Sequence, residues 1–179
     1  AAPPAPADNS VEVIEFFWYA CPHCFDFEPI LEPWVANKPD DVTFVRIPAM
    51  FNPSAQAQAR LYYALELMGE LDRLHGEVFK TVQVKRISLD DEREVRDFAE
   101  QHGVDPDQLA DTMLSFAVEG KLARAADLAR RYGIRGVPAM VVNGQYRSGK
   151  GFRTQKEVLD LTDYLIAKVR AERGPAPGA

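Results

Sequence analysis

Cysteine is nearly absent from this sequence: the 179 residues hold two, Cys21 and Cys24, with two residues between them. A structural disulfide framework scatters several cysteines through a chain so that its bridges close long loops. A bridge across two residues removes very little unfolded-state entropy, so this pair points to chemistry before architecture. Long apolar runs are absent as well. The longest, Phe16 to Cys21, fits one buried strand and falls far short of the roughly 18 residues that mark a membrane span. There is no block of consecutive Lys or Arg, and the net charge is −6, which excludes an electrostatic footprint for nucleic acid or an anionic membrane. Histidine is sparse, and His75 and His102 fall alone in the middle of the chain. A zinc half-site at Cys21 and Cys24 would need two more ligands, and a c-type haem would need His directly after the second Cys, where Phe25 stands. The expectation is a soluble, mildly acidic chain with no metal and no cofactor.

What is present suffices for a core, since 46% of the residues are hydrophobic and 27% charged. Val11 to Tyr19 is rich in β-branched and aromatic residues and reads as a strand, central in its sheet because it is apolar on both faces from Ile14 onward. Glu15 breaks that pattern: it is in phase with Val11, Val13 and Phe17, so a pleat of period two aims its carboxylate into an apolar face. From Pro22 to about Asn37 the spacing of Phe25, Phe27, Ile30, Leu31 and Trp34 suits a helix kinked at Pro29 and Pro33. Val42 to Ile47 reads as a second strand.

Between Pro53 and Tyr132 the apolar spacing turns helical. Leu61, Ala64, Leu65 and Met68 form one stripe, Leu71, Leu74 and Val78 a second, and Val95, Phe98 and Ala99 a third that Gly103 stops. Asp105-Pro106 opens a further helix, and Phe116 to Tyr132 makes another. The β signal returns at Ala139 to Val142, where Asn143-Gly144 predicts a type I′ turn into Gln145 to Arg147. Thr154 and Glu157 then form a capping box ahead of a closing amphipathic helix. The order predicts an α/β domain in two parts, residues 8–52 and 128–174, around an all-helical insertion at 53–127, with disordered tails at 1–7 and 175–179.

Cys21-Pro22-His23-Cys24 follows the first strand and opens a helix. At a helix N-terminus the unpaired backbone N–H groups and the positive end of the macrodipole favour a thiolate at Cys21. Pro22 fits the first turn, where its missing N–H does no harm, and protonated His23 adds positive charge. Cys24 lies one turn further in, on the same side and less exposed. The pattern predicts that Cys21 exchanges disulfides and Cys24 resolves them. Stabilising the thiolate stabilises the reduced pair and makes its disulfide easier to give away.

Glu15-Phe16-Phe17 before Cys21-Pro22-His23-Cys24, Phe27-Glu28 after it, and Gly136-Val137-Pro138-Ala139-Met140 much later together resemble the DsbA family of thioredoxin-fold disulfide oxidases, over nearly the whole chain. The resemblance implies a thioredoxin-like fold and a cis-proline at Pro138 that faces the redox pair, with Val137 open for pairing with an extended substrate. It also implies that Glu15 is a buried acid beneath the pair, relaying the proton of Cys24, with Arg46 where the family carries a lysine. Glu28, four residues past Cys24 on the same helix side, is a second relay candidate. The implied partners are unfolded, newly exported proteins and a quinone-linked membrane oxidase, DsbB, for reoxidation. The implied setting is the periplasm, for a monomer that lacks a dimerisation arm. A reductase or isomerase on the same scaffold, or a peptide-binding module built on Trp18, Tyr19 and Phe25, are the alternatives.

Overall fold

The computed structural model describes residues 10–148 and 154–173; both predicted tails lie outside them. The chain runs β1 (Val11–Phe17), α1 (Pro22–Asn37), β2 (Val42–Pro48), then α2 (Pro53–Leu67), α3 (Leu71–Gln83), α4 (Glu92–Gln101), α5 (Pro106–Met113) and α6 (Phe116–Arg131), and finally β3 (Ala139–Val142), β4 (Tyr146–Arg147) and α7 (Gln155–Arg173). The sheet has the order β2-β1-β3-β4, with β2 parallel and β3 antiparallel to β1. This is the mixed α/β, thioredoxin-like architecture that the sequence predicts.

The helices start where their caps say they should. Asn52, Asp91, Asp105 and Ser115 each accept a backbone N–H from the first turn of α2, α4, α5 and α6, which satisfies donors that have no partner inside the helix. Helices α1 and α3 differ: Glu70 at the start of α3 makes no side-chain cap hydrogen bond, and neither does Cys21, the N-cap of α1. Helix α1 continues unbroken through Pro29 and Pro33.

Two predicted strand ends are corrected. The first strand stops at Phe17 and not at Tyr19, because the N–H of Cys21 bonds back to the carbonyl of Trp18 at 3.0 Å and turns the chain toward α1. In the hairpin, Asn143 and Gly144 both take positive φ, as a type I′ turn requires. Val142 pairs with Tyr146, however, so Gln145 belongs to a three-residue loop and not to the strand.

The sheet separates two apolar clusters. On one face Val11 and Val13 pack with Phe27 and Leu31 of α1 and Val158, Leu165 and Val169 of α7. On the other, Ile14 and Phe16 meet Leu61, Leu65, Leu74 and Phe79 from the helical block. Burying a side chain of this size contributes on the order of 1.5–3 kcal/mol. The C-terminal end of β1, held from both sides, therefore gives the start of α1 a rigid platform.

Candidate active site

Cys21 and Cys24 are both free thiols, and one helical turn separates their environments. Cys21 is 8% exposed and Cys24 fully buried. The sulfur of Cys21 lies 3.6 Å from the carbonyl oxygen of Val137, to which its protonated form donates, and the Val137–Pro138 peptide is cis. Pro22 occupies the first turn of α1 and His23 is exposed. The amide of Gln155 on α7 donates to the carbonyl of His23 at 3.0 Å, tying the closing helix to the motif.

Electrostatics divides the two thiols more sharply than exposure does. A hydrogen bond from Cys24 stabilises the Cys21 thiolate; burial opposes it, and the backbone N–H groups of Cys24 and His23 and the His23 charge assist, leaving the Cys21 pKa lowered to about 6. Burial, the hydrogen bond to Cys21 and the negative charge of Cys21 push the Cys24 thiol far above its ordinary range. At neutral pH the reduced pair is one thiolate and one thiol.

Beneath the pair lies a buried cluster of charge. Glu15 stands opposite Arg46 in the β1–β2 register and accepts from its Nε at 3.2 Å. The Nη2 of Arg46 reaches Glu28 at 3.2 Å and Glu32 at 2.6 Å, so one guanidinium serves three carboxylates. Burial raises the Glu15 carboxyl to a pKa of about 8 against the opposing pull of Arg46, with Glu28 and Glu32 adding repulsion. Burial also pushes Glu28 up, but a contact with His75 and the charge of Arg46 outweigh it and hold that carboxyl below its ordinary range. Burial would lower the Arg46 pKa; its three acids reverse this and keep it protonated.

A groove of about 650 Å³ opens beside the cis peptide, lined among others by Ile134, Arg135, Val137, Pro138 and Arg147. Among the described residues, Asp90, Asp91 and Glu94 are the one group with metal-ligand spacing. Asp91 caps α4 and Glu94 accepts the N–H of Leu89, so both carboxylates already serve as local hydrogen-bond acceptors.

The sequence profile of the DSBA-like thioredoxin domain matches residues 12–160. The chain belongs to that family. The DsbA relatives include the thiol:disulfide interchange protein DsbA of Pseudomonas syringae pv. tomato, 44% identical over 172 residues, covering 96% of this chain and 80% of the relative. The protein of the same name from Pseudomonas aeruginosa is 41% identical over 169 residues, 94% of this chain and 80% of its own length. Among solved structures, Pseudomonas aeruginosa DsbA superposes with a TM-score of 0.90 at 40% identity, covering 97% of this chain and 91% of that one. DsbA from Xylella fastidiosa gives 0.88 at 32% identity, with 95% and 92% covered. The chain is thus a protein thiol–disulfide oxidoreductase of the DsbA type, with Cys21 and Cys24 as its redox-active pair.

Within this DsbA-type site, Cys21, Pro22, His23, Cys24, Val137 and Pro138 come together at one end of the sheet. Glu15, Glu28 and Arg46 lie below them. Tyr19 does not line a peptide-binding surface, since it is fully buried, and Phe25 packs against the core. Sequence reasoning missed Glu32 and His75. Glu32 carries a faint signal as a second acid one turn beyond Glu28, whereas nothing local to α3 marks His75.

Proposed function

We propose that this protein gives its disulfide to reduced, newly exported proteins outside the cytoplasm. The observation that supports this most directly is the split between the two thiols: Cys21 lowered to about 6 and Cys24 raised far above its ordinary range. A stabilised thiolate on Cys21 favours the reduced form of the pair, and with it transfer of the disulfide to a substrate.

In the proposed reaction a substrate thiolate attacks Sγ of Cys21 in the oxidised pair. The Cys21–Cys24 bond breaks, a mixed disulfide forms on Cys21, and Cys24 leaves with the electron pair. A second substrate thiolate then attacks the substrate sulfur of the mixed disulfide, so the substrate leaves oxidised and Cys21 departs as a thiolate. Cys24 takes up a proton, and in this reading Glu15 supplies it; a carboxyl pKa of about 8, which leaves it protonated at neutral pH, supports the role. Arg46 and Glu28 hold that acid in place and connect it toward the helix surface.

The carbonyl of Val137, 3.6 Å from the Cys21 sulfur, is the backbone acceptor beside which an extended substrate would pair, with Pro138 bounding the groove. The helical block α2–α6 is read as an insertion into the thioredoxin-like domain. Each disulfide given away leaves two electrons on the pair, so its reoxidation calls for an electron acceptor, here a quinone-linked membrane oxidase of the DsbB kind acting on a periplasmic monomer. No described helix is long and apolar enough to cross a membrane.

Equilibration with glutathione buffers tests this reading. An oxidant has a potential well positive of thioredoxin's ~−270 mV, and a value at or below that one overturns the donor assignment.

A further inference from the structure

The least expected side chain in the core is His75. It projects from α3 and is 6% exposed, with its ring edge-on to Phe17 and to Phe79 at 5.2 Å between centroids in each case. A ring needed only to fill such an aromatic pocket would be carbocyclic, because each buried imidazole nitrogen needs a partner. Both nitrogens here are directed. Nδ1 lies 2.8 Å from the Tyr19 hydroxyl and Nε2 lies 3.6 Å from Oε2 of Glu28. The second distance is long for a hydrogen bond but short for attraction between an N–H dipole and a carboxylate. Glu28 is held ionised, so the arrangement selects the tautomer in which Nε2 carries the proton and the Tyr19 hydroxyl donates to Nδ1. Burial lowers the proton affinity of the ring itself, which makes it a neutral donor.

We propose that His75 is a positioning residue for the redox pair, supporting the charge on Glu28 so that Arg46 remains available to Glu15 beneath Cys24. The path is continuous: His75 to Glu28, Glu28 to Nη2 of Arg46 at 3.2 Å, and Nε of Arg46 to Glu15 at 3.2 Å. Donors are scarce along it. Oε1 of Glu15, Oε1 of Glu28 and Nε2 of His75 are buried with no hydrogen-bond partner among the described residues, so the 3.6 Å approach to Glu28 is the electrostatic contact open to that nitrogen. Removing the His75 donor leaves Glu28 to draw more heavily on Arg46, weakening the hold on Glu15 and making its carboxyl harder to ionise. The polar and charged groups facing His75 are Tyr19 after β1, Glu28 and Glu32 from α1, Arg46 from β2 and Tyr62 from α2. Of these, Glu28 is the acid that the ring contacts.

The inference rests on the proposed proton role of Glu15, and the test separates the two. The equilibrium constant of the pair with glutathione is measured from pH 5.5 to 9.5 for the wild type and three variants. His75→Phe keeps an aromatic ring without nitrogens, Tyr19→Phe removes only the hydroxyl that orients the imidazole, and His75→Gln restores an Nε2 donor. With the titrations of Cys21 near 6 and of the glutathione thiol divided out, the wild-type profile should still inflect near the Glu15 value of about 8. His75→Phe should move that inflection up by about one pH unit and change the constant at pH 8 by roughly 3- to 10-fold. Tyr19→Phe should move it the same way by less, and His75→Gln should return it toward the wild type. A wild-type profile with no inflection overturns the proposal. So does a His75→Phe profile that superimposes on the wild type, or a His75→Gln profile that matches His75→Phe. If His75→Phe fails to fold, a superimposed Tyr19→Phe profile has the same force. A wild-type equilibrium as reducing as thioredoxin's overturns the donor reading alone, because the displacement between variants reads His75 independently of the absolute potential.

Discussion

Replacing Glu15 by glutamine should stabilise the protein, although it alters a carboxyl that accepts a hydrogen bond from Arg46 in the core. The carboxyl has an ordinary pKa of 4.5 and a folded value of about 8. Below pH 4.5 it is protonated in both states and costs nothing. As pH rises the unfolded chain releases the proton while the folded chain keeps it, so stability falls until about pH 8, above which the full penalty is present. At pH 7 the penalty is about 3 kcal/mol and at pH 5 less than about 1 kcal/mol. The amide oxygen introduced by Glu15→Gln would still accept from Nε of Arg46, and Glu28 and Glu32 still neutralise the guanidinium, so no buried cation is orphaned. The expected gain is therefore about 2–3 kcal/mol at pH 7, shrinking toward zero in acid. Guanidinium denaturation of the oxidised wild type and Glu15→Gln at pH 5, 7 and 8.5 measures it, the oxidised form keeping the titration of Cys24 out of the comparison. A difference that does not change between pH 5 and 8.5, or a loss of stability at pH 7, refutes the reasoning.

Alkylation of the reduced protein by iodoacetamide should show a rate midpoint near pH 6 for Cys21, set by its lowered pKa, with Cys24 unreactive. Because the hydrogen bond from Cys24 is the largest cause, Cys24→Ala should move that midpoint up by about 1–2 pH units; a wild-type midpoint near 8.5, that of an ordinary thiol, would contradict the site electrostatics. Phe79→Ala should lower stability by about 3–5 kcal/mol in urea titration, since the ring is buried and lies 4.8 Å from Tyr19 and 5.2 Å from His75 between centroids. A loss below about 1 kcal/mol would mean that the cage repacks without it.

The parts of this site legible in sequence are those whose signal is local. A CxxC spacing at a strand-to-helix junction needs only the neighbouring residues, and Glu15 stood out because one acid broke a period-two apolar pattern. Arg46 was reached only through the family resemblance, as the position where the family carries a lysine; its place opposite Glu15 comes from the parallel register of β1 and β2. The end of β1 was not legible, since Trp18 and Tyr19 extend the apolar run without a break while the chain already turns to bring Cys21 onto the helix axis. His75 was hidden for a different reason. Its role depends on Tyr19, 56 residues away in sequence, and on Glu28 across a helix interface, so α3 alone presents a lone histidine in an amphipathic stripe.

The cost of the Glu15 cluster and the asymmetry of the cysteines have one physical source, the depth reached in about 4.5 Å along α1. At the first position backbone N–H groups are available and the surface is near, so charge is stabilised and Cys21 ionises easily. One turn further in, those donors are spent on helix bonds and the surroundings are apolar, so charge is penalised for Cys24 and for the carboxylate beneath it alike. Desolvation raises both, which brings the acid close to working pH at the depth where a leaving thiolate needs a proton. A better-packed apolar residue at position 15 would remove the penalty and with it the acid that lies beneath Cys24. Glu15 thus costs the fold stability at the depth where the proposed exchange calls for a proton.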